Sequence, residues 1–139
     1  VNPQLGQVIE NLIQYSTSGV AQFMQKAAVV ALDQGDDYIF GQVNRARKAR
    51  DILCGALLST GKVQLAVPEG AFYLYFKVQG VNDSLQAAFS LVDNSGIGIA
   101  PGSAFSASDD GWFRICFHRN LKDIETAANR LVDWISRFA

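Results

Sequence analysis

Residues 71–78 read Ala71-Phe72-Tyr73-Leu74-Tyr75-Phe76-Lys77-Val78. Side chains of a strand alternate between its two faces, which predicts Phe72, Leu74, Phe76 and Val78 on one side and Tyr73, Tyr75 and Lys77 on the other. Trp112-Phe113-Arg114-Ile115-Cys116-Phe117 repeats the pattern, with Phe113, Ile115 and Phe117 on one face and Trp112, Arg114 and Cys116 on the other. Short strands with one apolar face do not stand alone in water, so helices must cover them.

Helical periodicity supplies that cover. After Pro3, whose missing N–H suits a first helical turn, Leu5, Val8, Ile9, Leu12 and Ile13 recur at three- and four-residue spacing. The run Tyr15-Ser16-Thr17-Ser18-Gly19 breaks that helix. A second helix, Val20 to Leu32, is apolar nearly all round and is expected to be buried on most sides, with Gly35 as a left-handed cap. The third, Asp36 to about Ser59, carries the stripe Ile39, Val43, Ala46, Leu53 and Leu57, and Gly61 closes it. Asp83 to Asp93 reads as a helix with Leu85, Ala88, Phe89 and Val92 inward, and Gly96 to Ala100 as a short strand before a Pro101-Gly102 turn. Asn120 caps a last helix whose stripe is Leu121, Ile124, Ala128, Leu131, Ile135 and Phe138. The fold class is α+β: a small, mostly antiparallel sheet covered by helices and preceded by long helices.

Composition narrows the partners. The 139 residues carry 12 basic and 13 acidic side chains, a net charge of -1, without the basic excess that nucleic acid or an anionic lipid surface demands. Neither partner is expected. No stretch is apolar enough to span a bilayer, and Val1-Asn2-Pro3-Gln4 has no signal-peptide pattern. The only methionine is Met24, which fits processing or a piece of a longer protein. Hydrophobic residues reach 49%, so either the domain buries unusually well or part of its apolar face belongs against something outside this chain. Cys54 and Cys116 read as reduced core thiols of a cytoplasmic protein, and with His118 as the one histidine no metal site is expected. His118 reads as a surface turn residue. The basic run Arg45, Arg47, Lys48 and Arg50 reads as a solvated helix face partly paired with Asp51.

Arg114 is the most informative side chain. Its guanidinium cannot give up its charge, so amid apolar neighbours it needs a carboxylate or phosphate. It reads either as half of an internal ion pair, or an exposed residue, or as a bidentate clamp on a ligand carboxylate. Ser16, Thr17 and Ser18 read either as plain helix N-caps or as a phosphate site at the helix that follows.

Three motifs bring the chain to a family. Val67-Pro68-Glu69-Gly70-Ala71-Phe72-Tyr73-Leu74-Tyr75 resembles the "P-x-G-A-F-Y" strand of class I/II aminotransferases, fold type I enzymes dependent on pyridoxal phosphate. Ala100-Pro101-Gly102-Ser103-Ala104-Phe105 resembles their "P-G-x-x-F" turn, and Gly111-Trp112-Phe113-Arg114-Ile115-Cys116-Phe117 their "G-x-x-R-[ILV]-[SC]" strand. Order and spacing agree, and Tyr15-Ser16-Thr17 with Gln22, Ala27 and Ala28 is similar to the loop and helix after the family's cofactor-binding core, so the resemblance covers essentially the whole chain.

The resemblance implies that Arg114 binds the substrate α-carboxylate, and that Ser16 and Thr17 approach the cofactor phosphate, in the family often across a dimer interface. It implies amino acid and 2-oxo acid substrates and a homodimeric intact enzyme. The family's cofactor lysine, pyridine-pairing aspartate and phosphate-binding arginine all lie upstream of the segment that this chain resembles. None of Lys26, Lys48, Lys62, Lys77 and Lys122 follows the hydroxyl-rich motif of that lysine. No catalytic residue is therefore expected in this chain, which is read as a C-terminal fragment: inactive alone, binding no pyridoxal phosphate covalently. Cys116-Phe117-His118-Arg119 departs from the small residues usual after the strand. Residues 1–35 are expected to belong to the large cofactor domain or its junction, and 36–139 to the C-terminal small domain. Same-fold lyases and oxoamine synthases share these motifs, and a non-catalytic dimerisation or carboxylate-binding module is the third reading.

Overall fold

The computed structural model describes residues 2–137; Phe138, placed by its spacing on the last helical stripe, lies outside them. Two compact units divide the chain between Phe40 and Gly41.

The first unit is helical. Asn2 accepts the amide of Gln4 at 3.0 Å and opens a 3-10 turn, Pro3–Leu5, that leads into α1, Gly6–Ser16, and then α2, Gln22–Gln34. Neither α1 nor α2 buries a residue, which corrects the expectation for the second helix: Phe23 is 71% and Leu32 83% exposed. An all-round apolar helix is buried only where further layers enclose it, and two short helices do not enclose each other. Gly35 is not a left-handed cap either, for its φ is -85°. The next helix, α3 (Asp36–Ser59), starts at once, and the amide of Ile39 donates to the Gly35 carbonyl. Glycine is needed there for space, since a Cβ would stand 2.2 Å from the Ala31 carbonyl oxygen.

The second unit holds the sheet: β1 (Val63–Leu65), β2 (Tyr73–Val78), β3 (Ala100–Pro101) and β4 (Trp112–Cys116), in the order β1-β2-β4-β3. All pairings are antiparallel, and the central one sets Leu74 opposite Ile115, Tyr75 opposite Arg114 and Phe76 opposite Phe113. Leu74, Phe76, Val78, Phe113, Ile115 and Phe117 form one buried face. Against it lie α3, α4 (Ser84–Ser95) and α5 (Leu121–Ser136). The α+β class is as expected.

Four details differ. The short strand expected at Gly96 to Ala100 is instead β3 at Ala100–Pro101, and Gly96 closes α4 with a left-handed φ of 63°. Phe72 lies before β2 and is exposed, its ring against Tyr73 and His118. Only the later half of the α3 stripe is buried, at Ala49, Leu53, Cys54 and Leu57, while Ile39 and Val43 stay exposed. On α4 the inward residues are Ser84, Ala87, Ala88 and Leu91, with Leu85, Phe89 and Val92 outward. Small side chains bring that helix close to its neighbours, and Ser84 spends its hydroxyl on Ser103 at 3.0 Å. Helix α5 follows the sequence reading: Asn120 accepts the amide of Asp123 at 2.8 Å, and Ile124, Ala128, Leu131 and Ile135 are buried beside Trp134.

Candidate functional site

Helices α3, α4 and α5 build the core on one face of the sheet, and no residue of the opposite strand face belongs to that core. That face carries Tyr73, Tyr75 and Lys77 from β2, and Trp112, Arg114 and Cys116 from β4. It is overhung by the loop joining β3 to β4, which delivers Phe105 and Asp109.

Arg114 sits between two rings. Its guanidinium carbon lies 4.4 Å from the centre of the Tyr73 ring and 4.3 Å from that of Phe105. Two rings thus flank the cation, each contact contributing about 0.5–2 kcal/mol according to its desolvation. Among the described residues no carboxylate pairs with it, and its Nε is buried without a hydrogen-bond partner. A buried polar group left in that condition costs about 1–3 kcal/mol, more when charged. Among the described residues, therefore, the internal ion pair offered by the sequence is not formed.

Tyr75 is the neighbouring hub. Its ring stacks on Trp112 at 5.0 Å, meets Phe105 edge-on at 6.3 Å, and its hydroxyl donates to the Asp109 carboxylate at 2.6 Å. Burial first, then the hydrogen bond and charge of Asp109, push the phenol up to about 12. No spacing argument singled out Tyr75 or Asp109, because they are 34 residues apart in sequence.

The other candidates fall elsewhere. Ser16 and Thr17 close α1 in the first unit, donating to the carbonyls of Leu12 at 2.6 Å and Ile13 at 3.1 Å. They are not N-caps of α2, whose cap position is Ala21 with no side-chain bond. Cys54 is buried, and burial pushes its thiol up against the opposing pull of Arg50. Cys116 is exposed, correcting its assignment to the core: alternation had already put it on the open face with Arg114. Arg50 pairs with Asp51 at 2.7 Å and also donates to the Pro68 carbonyl at 3.1 Å, so the basic run is anchored at one end. His118 stands in the loop after β4, half-buried beside Phe72. A cleft of about 530 Å³ opens between Ile97, Ile115, Cys116, Arg119 and Arg130, without Arg114 in its lining. Among the described residues no group of three metal-ligating side chains occurs, and no helix is long and apolar enough to cross a membrane.

No protein-family model matches the chain. Over 130 residues it is 33% identical to the LL-diaminopimelate aminotransferase of Nitratidesulfovibrio vulgaris (strain Miyazaki F), a match covering 93% of this chain and 32% of that protein. A probable N-acetyl-LL-diaminopimelate aminotransferase of Bacillus subtilis is 28% identical over 119 residues, 85% of this chain and 30% of its own length. Among solved structures, an aminotransferase from Mycobacterium tuberculosis matches with a TM-score of 0.82 at 30% identity, over 99% of this chain and 36% of that one. The chain spans about a third of the length of the curated relatives it matches. In sequence and in fold it is the counterpart of the C-terminal portion of the class I/II, fold type I aminotransferases.

Proposed function

We propose that the intact protein carrying this chain is a pyridoxal-phosphate-dependent aminotransferase, moving an amino group between an amino acid and a 2-oxo acid, and that Arg114 binds the substrate α-carboxylate. The observation that carries this reading is the state of Arg114: a permanent cation on the open face of the sheet, flanked by two aromatic rings, with its Nε unpaired. A carboxylate fits an edge of such a guanidinium with two parallel hydrogen bonds. Held that way, a substrate keeps one orientation about its α-carbon, which is what a positioned proton transfer needs.

In this reading the cofactor is held mainly by residues of the intact enzyme outside this chain. Around Arg114 stand two aromatic rings, and the lysine of the same sheet face, Lys77, opposes Trp112 and leans on the Gly111 turn. In the same reading, residues 1–35 belong to the cofactor domain or its junction and 36–139 to the small domain. Ser16 and Thr17 lie near the phosphate, and the enzyme is a cytoplasmic homodimer. The exposed apolar surface of α1 and α2 supports that assignment.

Replacing Arg114 by Ala or Lys in a full-length enzyme carrying this segment is expected to raise the amino-acid KM by about 10- to 100-fold, the loss of one charge-assisted bidentate contact. An unchanged KM removes the clamp.

A further inference from the structure

The loop between β3 and β4 does more than connect them. Its base is closed tightly: a Cβ on Gly102 would stand 2.3 Å from the Asp109 carbonyl oxygen and 2.7 Å from the Trp112 Cβ. Inside it, the amides of Phe105 and Ser106 donate to the Gly102 carbonyl at 2.8 and 3.1 Å, and that of Asp109 to Ser106 at 3.1 Å. Two side-chain bonds tie this compact loop to the rest of the unit. Ser103 and Ser84 tie its start to α4, and Tyr75 and Asp109 tie its far end to β2.

Between those ties sits Phe105, 4.3 Å above the Arg114 guanidinium. Tyr75 opposes Arg114 across the ladder, so one side chain meets the loop's carboxylate, the edge of Phe105 and the face of Trp112. The phenol is an ordinary donor to a carboxylate, and at 2.6 Å the bond is short and charge-assisted. The Asp109 carboxylate accepts from Tyr75 and pairs with no described cation. That leaves the guanidinium free for an outside carboxylate.

We propose that the Tyr75–Asp109 hydrogen bond is a latch that keeps Phe105 over Arg114 and keeps the Asp109 carboxylate off it, making Tyr75 and Asp109 positioning residues for carboxylate binding. The latch rests on the reading of Arg114 as a carboxylate clamp. A preorganised cation loses less on binding than one that must first be ordered, so the latch acts on affinity.

The test uses the 139-residue chain, labelled with nitrogen-15 and titrated with sodium acetate at fixed ionic strength, following the Arg114 Nε–H resonance. The unaltered chain should show a saturable shift. Tyr75→Phe, which keeps the ring and removes the hydroxyl, and Asp109→Ala should each raise the acetate Kd by about fivefold to tenfold. The double variant should be no worse than either alone, because both break one device. Asp109→Asn, which retains an oxygen for the phenol to donate to, should recover most of the affinity. Phe105→Leu, which leaves the latch intact, should weaken binding as well. If the unaltered chain binds and Arg114→Lys abolishes binding while Tyr75→Phe and Asp109→Ala leave Kd unchanged, the latch is wrong and the clamp stands, even if those variants melt earlier. If the folded, unaltered chain gives no saturable shift, the clamp fails and the latch with it.

Discussion

Helices α1 and α5 are both amphipathic, and the two units they belong to treat them differently. Val8, Ile9, Leu12 and Ile13 of α1 are exposed, whereas Ile124, Ala128, Leu131 and Ile135 of α5 are buried against the sheet and its neighbours. The spacing rule that predicts both stripes is the same. What differs is the presence of a second layer: residues from Gly41 onward contain a sheet face to receive a stripe, and those up to Phe40 contain only helices. An apolar stripe states that a surface is made to be covered; it does not state by what.

The widest test of that contrast is truncation. Phe113→Ala in the core of the second unit should cost about 3–5 kcal/mol, through lost transfer energy and the cavity left behind. Leu12→Ala in α1 should cost less than about 0.5 kcal/mol, as exposed positions do. Urea unfolding of the chain measures both, and comparable costs would show that α1 is packed after all.

Glycine replacement sharpens the comparison at a smaller scale. Gly111 has a φ of +79°, and a Cβ there would lie 2.4 Å from the Val81 carbonyl oxygen, so Gly111→Ala should destabilise by about 1–3 kcal/mol. Gly6, the first residue of α1, has helical dihedrals and open space around it, so Gly6→Ala should instead stabilise by about 0.4–1 kcal/mol, by restricting the unfolded chain. Opposite signs are expected in thermal melts; a loss at both positions would break the distinction.

The smallest effect is on alkaline stability. Tyr75 is raised to about 12, by burial first and Asp109 second, so the folded state holds its proton more tightly than the unfolded chain does. The resulting stabilisation is fully present below the ordinary tyrosine value of about 10 and is lost as pH rises towards 12. Lys77 and Arg114 are the cations of the same sheet face, and Asp109 is the anion that meets the phenol. A phenolate absorbance step near 12 that disappears in Tyr75→Phe is expected, and its absence would discount the tie to Asp109.

Much of the second unit was legible. Alternation placed Leu74, Phe76, Phe113 and Ile115 on the buried face, and Asn120 with Asp123 marked the start of α5. Helix α4 shows the limit. It carries apolar residues on two faces, Leu85, Phe89 and Val92 on one and Ala87, Ala88 and Leu91 on the other, so periodicity alone does not choose between them. Packing chose the smaller set, because Ser84, Ala87 and Ala88 permit close approach. At the candidate site, Arg114 stood out as a charge in an apolar strand, but its surroundings did not: Phe105 and Asp109 arrive on a loop distant in sequence from Tyr73 and Tyr75.

By itself, then, the sequence determined the long helices and the two central strands, the α+β class and which side of each central strand is apolar, because these follow from local period and from the chemistry of single residues. Only the tertiary structure decided which stripes found a partner, and that Arg114 is flanked by two rings with its Nε unpaired. Those outcomes depend on which surfaces meet, and that is a property of the packed layers rather than of any one segment.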